Sequence, residues 1–208
     1  MTSLPTERER AGSAAADRLE PRALRTRTLI LQAVRDALTE VPIDDLTVSE
    51  LSRRAGVHRV TFYGHWPDVQ AAASDAFAEV IDRLATIDER DVAIATRPGE
   101  LASHYQRALV AQLIEIRDHR DVYRTLAASP AFARRLIETL GGRAELAVTS
   151  LVRLGVRVPG VESGLATAYI AGGIVAASLE WARTDDDDVE TAAREITAQL
   201  PGWWPEPS

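Results

Sequence analysis

Hydrogen-bonding side chains crowd a short segment, residues 58–66 (HRVTFYGHW), that also carries two aromatic anchors. Phe62 and Trp66 lie four residues apart, so on a helix they share one face and would pack inward. Arg59 and Tyr63 then flank an outer edge of the same helix. Polar groups held on a rigid, outward-facing helix can reach phosphates and base edges in the major groove of DNA. The chemistry that this segment suggests is therefore recognition of a DNA duplex.

Two earlier helices are predicted to position this segment. A 3.6-residue apolar period starts at Leu24 and runs to Val41, where Pro42 ends it. Thr47 then caps a second, short helix, and Glu50 is placed to reach back to the cap in a capping box. Gly56 ends that helix, at a position where a left-handed residue is wanted. Helix, tight turn and short helix together predict a helix-turn-helix.

The stretch LTVSELSRRAGVHRVTFYGHWPD, residues 46–68, resembles the DNA-binding motif of the TetR (tetracycline-repressor-like) family of transcriptional regulators. The family pattern has a Thr-capped helix, an Ala-Gly-Val turn and a Thr-Phe-Tyr-x-His run. The match covers residues 24–70, and the total length also suits the family. Beyond residue 70 the resemblance rests on helix layout.

The resemblance implies seven DNA-contacting residues: Thr47, Tyr63 and His65 at phosphates, Arg59, Val60 and Thr61 at bases, and Arg54 near the backbone. Gly64 is an eighth candidate from the helix geometry, because a residue without a side chain lets the backbone approach DNA closely. Plain structural alternatives stand beside these roles, such as a solvated Arg59 or a His65 satisfied within the fold. Val69 stands where the family often has Lys, and Gly64 replaces a larger, often basic residue. These two departures predict either weaker binding to the DNA backbone or compensation by the Arg-containing N-terminal arm.

Composition narrows the possible functions. The 208-residue chain has no Cys, which leaves out disulfides and thiolate metal sites, and every basic residue is Arg. Net charge is −7, divided as about +1 over residues 1–66 and −8 over residues 67–208. The start of the chain lacks a signal-peptide core, and the apolar run at 165–179 is too short and too rich in Ala and Gly for a membrane span. A cytoplasmic location is expected.

The expected fold class is all-α, because no stretch alternates with a period of two. Residues 1–21 are predicted to be a flexible arm, residues 22–68 a three-helix DNA-binding domain, and residues 69–208 a larger helical domain for ligand binding and dimerisation.

The resemblance also implies roles for this second domain. Family members pair through their last two long helices, and the matching segment here is rich in small residues. The candidate interface is Gly164, Ala168, Gly172, Gly173, Ala176 and Trp181. A ligand cavity is expected between residues 100 and 180, with candidate wall residues His104, Tyr105, Tyr123, Phe132 and Tyr169. Such residues are equally compatible with an ordinary core.

No catalytic constellation, cofactor motif or metal set is predicted. The pairs Glu100–His104 and Glu115–His119 lie four apart on helices, which favours surface charge pairs over metal ligands. The function expected is a dimeric, ligand-responsive regulator, most simply a repressor, on a near-palindromic DNA operator. Two alternatives remain: a DNA-binding regulator without a small-molecule ligand, and a helical-bundle carrier or enzyme.

Overall fold

A computed structural model describes residues 7–87, 92 and 94–208, with side chains from residue 21 onward. The chain divides into two compact units, Met1–Ala76 and Phe77–Ser208. Over the described residues it forms nine α-helices and no strand, which confirms the all-α fold class.

The first unit contains α1 (Glu7–Leu38), a 3₁₀ turn (Ile43–Asp45), α2 (Val48–Ala55), α3 (Arg59–Tyr63) and the start of α4 (Val69–Ala85). Helix α1 begins well before the predicted start at Leu24 and carries Pro21 inside it. The Ala, Arg and Glu residues of this stretch favour helix, which an argument from the missing apolar period overlooked. Flexibility of the predicted arm stays a prediction, and residues 1–6 of it lie outside the described residues.

The core of the first unit explains how so short a helix as α3 can form. Five residues are far too few for a stable isolated helix, so packing must supply the stability. Phe62 is completely buried and Trp66 nearly so. Around them lie fully buried side chains of α1 and α2, namely Ile30, Leu31, Val34 and Leu51. The conformation of α3 is therefore set by its two rings.

The second unit contains the end of α4, then α5 (Pro98–Asp118), α6 (Arg120–Ala127), α7 (Pro130–Arg153), α8 (Leu165–Ala182) and α9 (Val189–Ala198). Helix α7 runs unbroken through Gly141 and Gly142. Helix α8 starts at Leu165, after Gly160 and Gly164, which adopt left-handed φ values of 74° and 72°. The Asp188 side chain caps α9 by accepting a hydrogen bond from the Thr191 amide at 3.0 Å.

Two groups of aromatic rings pack within this unit, one fully buried and one partly buried. Tyr123 packs edge-on against Phe77 at 5.3 Å between ring centroids and lies 6.2 Å from Phe132. Separately, Trp203 and Trp204 of the tail after α9 pack against apolar residues of α7 and α8. The tail is thereby part of the folded unit.

Candidate nucleic-acid interface and effector cavity

The turn that introduces α3 has the geometry expected from the sequence, with one exception. The Thr47 hydroxyl accepts a hydrogen bond from the Glu50 amide at 3.2 Å, and Gly56 is left-handed with φ 66°. The Glu50 carboxylate does not complete the predicted capping box; it accepts hydrogen bonds from Arg53 and Arg54 instead. These hydrogen bonds lower the pKa of Glu50 to about 2, and the bond from Arg53 makes the largest contribution.

The outer face of α3 presents the side chains that sequence reasoning assigned to DNA. Val60 is 82% exposed and Tyr63 57% exposed. Arg59, Thr61 and Gly64 are exposed as well, while His65 is half-buried beside the Trp66 ring at 5.3 Å. Arg59 has no ion pair with any described residue, so its guanidinium is available to an incoming acceptor. The DNA roles of these residues stay predictions, and the surface they need is open.

Trp66 makes a contact that sequence reasoning missed. Its indole N–H donates to Asp75 Oδ2 at 3.0 Å, and the same oxygen is 3.0 Å from Arg27 Nη2. The Arg27 guanidinium also lies over the Trp66 ring, 5.6 Å from its centroid. A buried Trp requires an acceptor for its N–H, and an Asp nine residues later was a signal that could have been used. The end of the α3 segment is thus tied to both α1 and α4.

The Arg54 guanidinium is already held by two carboxylates of the first unit. Its guanidinium makes ion pairs with Glu40 and Glu50, both at 2.8 Å, and its side chain is only 24% exposed. The hydrogen bond from Arg54 is the main cause of a lowered pKa at Glu40. Arg54 therefore joins α2 to the residues that follow α1. A DNA phosphate at the predicted contact would have to compete with two carboxylates for the Arg54 guanidinium.

Of the five predicted pocket residues, Tyr105 lines an apolar cavity between helices of the second unit. Tyr123 and Phe132 are fully buried in the ring cluster around Phe77, and Tyr169 is 62% exposed. His104 is half-buried near the start of α5, with Nδ1 3.0 Å from Arg107. Tyr169 instead lines an open surface pocket together with Trp203. Residue type alone does not reveal which face of a helix a residue occupies, and the ligand roles of all five residues stay predictions.

The cavity itself lies among α5, α7, α8 and α9 and has a volume of about 80 Å³. Most of its wall is aliphatic, including Leu109, Leu140, Ala144, Ala147, Ile170 and Ile174. Its polar groups are few: Tyr105, Gln112 and Arg143 are the main ones. The Tyr105 hydroxyl donates to the Arg143 carbonyl at 3.4 Å, and burial raises the pKa of Tyr105 to about 12.

Five of the six predicted interface residues belong to one stripe along α8, with Gly164 as the cap residue at its start. Gly164, Ala168, Gly173 and Ala176 are exposed and Gly172 is half-buried. Leu165 and Tyr169 project from the same stripe and are 68% and 62% exposed. By length and composition alone this helix could also cross a membrane, although 39% of it is buried within the fold. Its exposed apolar side is a candidate contact surface.

Trp181 does not belong to this stripe. At 3.6 residues per turn it lies about 120° around α8 from Tyr169. It is buried beneath the Arg120 guanidinium, 4.7 Å from the ring centroid, and its Nε1 donates to Asp186 at 3.3 Å. The Trp181 side chain is thus covered by its own chain, and its predicted place in an interface has no support from this geometry.

The two Glu/His pairs are structural. Glu100 accepts hydrogen bonds from the Thr96 amide and from Arg97, which lower its pKa to about 2. At the end of α5, Glu115 Oε1 is 3.3 Å from His119 Nδ1, and both side chains are partly buried. Within the described ranges, no three side chains of the types that bind metals come together.

Known proteins resemble the chain in both sequence and fold. No family model matches it. An HTH-type transcriptional regulator of Mycobacterium tuberculosis is 27% identical over 186 residues, which are 84% of this chain and 92% of that protein. An HTH-type transcriptional regulator of Mycobacterium bovis matches with the same identity and coverage.

Solved structures supply the fold. Thermus thermophilus FadR, a TetR-family transcriptional repressor solved with lauroyl-CoA, has a TM-score of 0.68 and 21% identity over 84% of this chain and 92% of its own. RolR, solved with resorcinol, has a TM-score of 0.61 and 19% identity over 91% and 98%. The chain thus carries a TetR-like helix-turn-helix sequence on the all-α fold of TetR-family transcriptional regulators.

Proposed function

We propose that the protein is a sequence-specific DNA-binding transcriptional regulator, most simply a ligand-responsive repressor, that binds its operator as a homodimer. The observation that carries the proposal is the outer face of α3. Val60 and Tyr63 are among the most exposed large side chains of the described chain, on a helix whose other face is completely buried. Nothing in the first unit's own fold requires that pattern, whereas insertion into a groove does.

The chemistry of that face suits a duplex. A guanidinium without a carboxylate partner, as at Arg59, can donate two hydrogen bonds to guanine O6 and N7, the most common specific contact in the major groove. Thr61 and Val60 would face neighbouring bases. Tyr63, Thr47 and His65 would hold phosphates on either side, which sets the register of the helix without reading sequence.

A second copy of the chain is the proposed occupant of the exposed stripe on α8. Leu165 and Tyr169 supply apolar area, and the small residues between them permit close approach of two helices. Pairing about a two-fold axis would present two α3 helices together. The operator should then be nearly palindromic, with half-sites separated by about 10 base pairs or a multiple of that.

The ligand-responsive part of the proposal draws on the cavity and on the neighbours. FadR was solved with lauroyl-CoA and RolR with resorcinol, so this fold accommodates small organic molecules. An effector would act by binding one state of the dimer more tightly than the other, and the shift cannot exceed that difference in affinity. Regulation without a ligand remains the second candidate, because the cavity is small. The same comparison supports a cytoplasmic, non-enzymatic role.

Selection of bound fragments from the source genome would test the proposal. Wild-type protein should enrich short, nearly palindromic sites. Arg59→Ala should weaken operator binding by about 1–3 kcal/mol and relax the preference at one base pair. Tyr63→Phe should weaken all sequences about equally.

A matched control is Arg134→Ala, which removes a well-exposed arginine from α7 and should change nothing. If Arg59→Ala and Arg134→Ala behave alike, or if no fragment is enriched, the assignment of α3 to base reading is wrong.

A further inference from the structure

The cavity wall indicates the charge of the molecule that would fit it. Aliphatic side chains dominate, and the one ionic group is Arg143. Its Nε is 3.1 Å from Asp82 Oδ1, so its charge is already offset. Bringing a further charge into this wall without a partner would carry a large desolvation cost. An uncharged ligand is therefore favoured over a carboxylate or an amine.

Gln112 adds a hydrogen-bonding requirement. This residue is only 7% exposed and lines the cavity. Its Nε2 donates to the Ala108 carbonyl at 3.2 Å, which directs Oε1 the other way. Within the described part of the chain, Oε1 accepts no hydrogen bond. Oε1 is therefore the acceptor that this part of the wall offers, and a ligand O–H or N–H would pair with it.

The volume shows that something must move. A dry cavity of about 150 Å³ is known to admit benzene, whereas this one measures about 80 Å³. A one-ring ligand needs a wall that can retreat. Most of the wall belongs to helices packed on both sides. Trp204 belongs to the tail beyond α9, where its ring packs edge-on against Tyr105 at 5.8 Å.

Ring packing of its two tryptophans and hydrogen bonds of its last residue hold that tail in place. The Ser208 amide is 3.3 Å from the Gly99 carbonyl and 3.0 Å from Ser103 Oγ. The tail runs so close to α5 that a Cβ on Gly99 would lie 2.9 Å from the Glu206 carbonyl oxygen and 3.0 Å from Ser208 Cβ. Gly99 lines no part of the cavity, so a substitution there disturbs the tail alone.

We infer that the cavity beneath Trp204 binds an uncharged, mainly apolar molecule of about one ring, which donates a hydrogen bond to Gln112 Oε1 and displaces Trp204 on entry. The inference rests on the effector part of the proposed function and names its ligand class. It also makes the tail a wall of the binding site whose docking competes with ligand entry.

Three one-ring probes separate the requirements when each is titrated into the DNA-free protein by calorimetry. Phenol, which is uncharged and has a donor, should bind. Toluene, which lacks the donor, should bind about fivefold more weakly, in line with about 1 kcal/mol for one net hydrogen bond. Benzoate, which is charged, should bind more weakly still. In Gln112→Leu the preference for phenol over toluene should disappear.

The tail is tested by rate. Gly99→Val should speed phenol association several-fold in stopped-flow measurements of tryptophan fluorescence, whereas Gly142→Ala, at a helical glycine with open space around it, should not. The inference is overturned if phenol does not bind, if toluene or benzoate binds as well as phenol, or if Gly99→Val leaves the rate unchanged. Enrichment of operator fragments is measured in a separate experiment. If the protein enriches nearly palindromic fragments but does not bind phenol, only the proposed ligand class is rejected.

Discussion

Replacing Trp66 by Phe tests whether the α3 segment is fixed by its polar contact as well as by its rings. The substitution keeps an aromatic side chain at a site that is almost fully buried but removes the N–H that donates to Asp75 at 3.0 Å. A hydrogen bond to a charged group contributes about 1.5–3 kcal/mol. The Asp75 side chain is 24% exposed and keeps Arg27 beside it, so water can replace the donor and the low end applies.

The smaller ring adds a second loss. Arg27 lies over the Trp66 ring at 5.6 Å, and a cation over a partly exposed ring contributes about 0.5–1 kcal/mol, less over Phe. The expected total is about 2 kcal/mol, roughly a 30-fold shift in the folded-to-unfolded ratio of the first unit. Operator affinity should fall as well, since α3 would be held less rigidly in the position that DNA binding needs.

Native-state amide exchange suits the measurement, because it reports the two units separately where one denaturation curve would merge them. A cycle with Trp66→Phe, Asp75→Asn and both together isolates the contact. We expect the double variant to be about 1 kcal/mol more stable than the sum of the single losses. If the two losses add within about 0.3 kcal/mol, the indole–carboxylate bond does not position α3.

Three other expectations can be checked on the same protein. Gly56→Ala should destabilise the first unit by about 1 kcal/mol in amide exchange, from the left-handed φ of 66° alone, because nothing lies within 4 Å of the added Cβ. The pKa values of Glu50 and Glu100 are lowered from 4.5 to about 2. The stability that these ionised carboxylates give to the fold is therefore complete above about pH 4.5 and is lost as the pH falls toward 2. In acid titrations, Glu50→Gln should make the free energy of unfolding of the first unit less dependent on pH between these values. Leu165→Glu combined with Tyr169→Glu should give a monomer in sedimentation velocity with unchanged helix content, and a dimer that persists would place the interface elsewhere.

The helix-turn-helix could be predicted in detail because its determinants are local. A capping Thr47, a left-handed Gly56 and two rings four residues apart specify caps, turn and buried face within twenty residues. The bond from Trp66 to Asp75 was missed, although a buried indole always requires an acceptor. Helix propensity at the start of α1 was likewise underestimated when only apolar periodicity was considered.

The second unit was harder for a physical reason. Its helix count follows from periodicity, but the face that each helix turns to a cavity depends on partners far away in sequence. Tyr123 and Phe132 were chosen for their chemistry and proved to be core. The wall of the cavity is mostly Ala and Leu, which carry no functional signal, and Trp204 reaches it from a tail whose path no periodicity describes.

In the α3 segment, the residues that stabilise the fold are different from those proposed to read DNA, and this separation affects how such proteins can evolve. Folding energy resides in Phe62 and Trp66, while Arg59, Val60 and Thr61 contribute almost no burial. These three positions can therefore change with little penalty to the scaffold, so new binding preferences could evolve without the usual trade-off between innovation and thermal robustness. A library randomised at the three outward positions should consist largely of well-folded members.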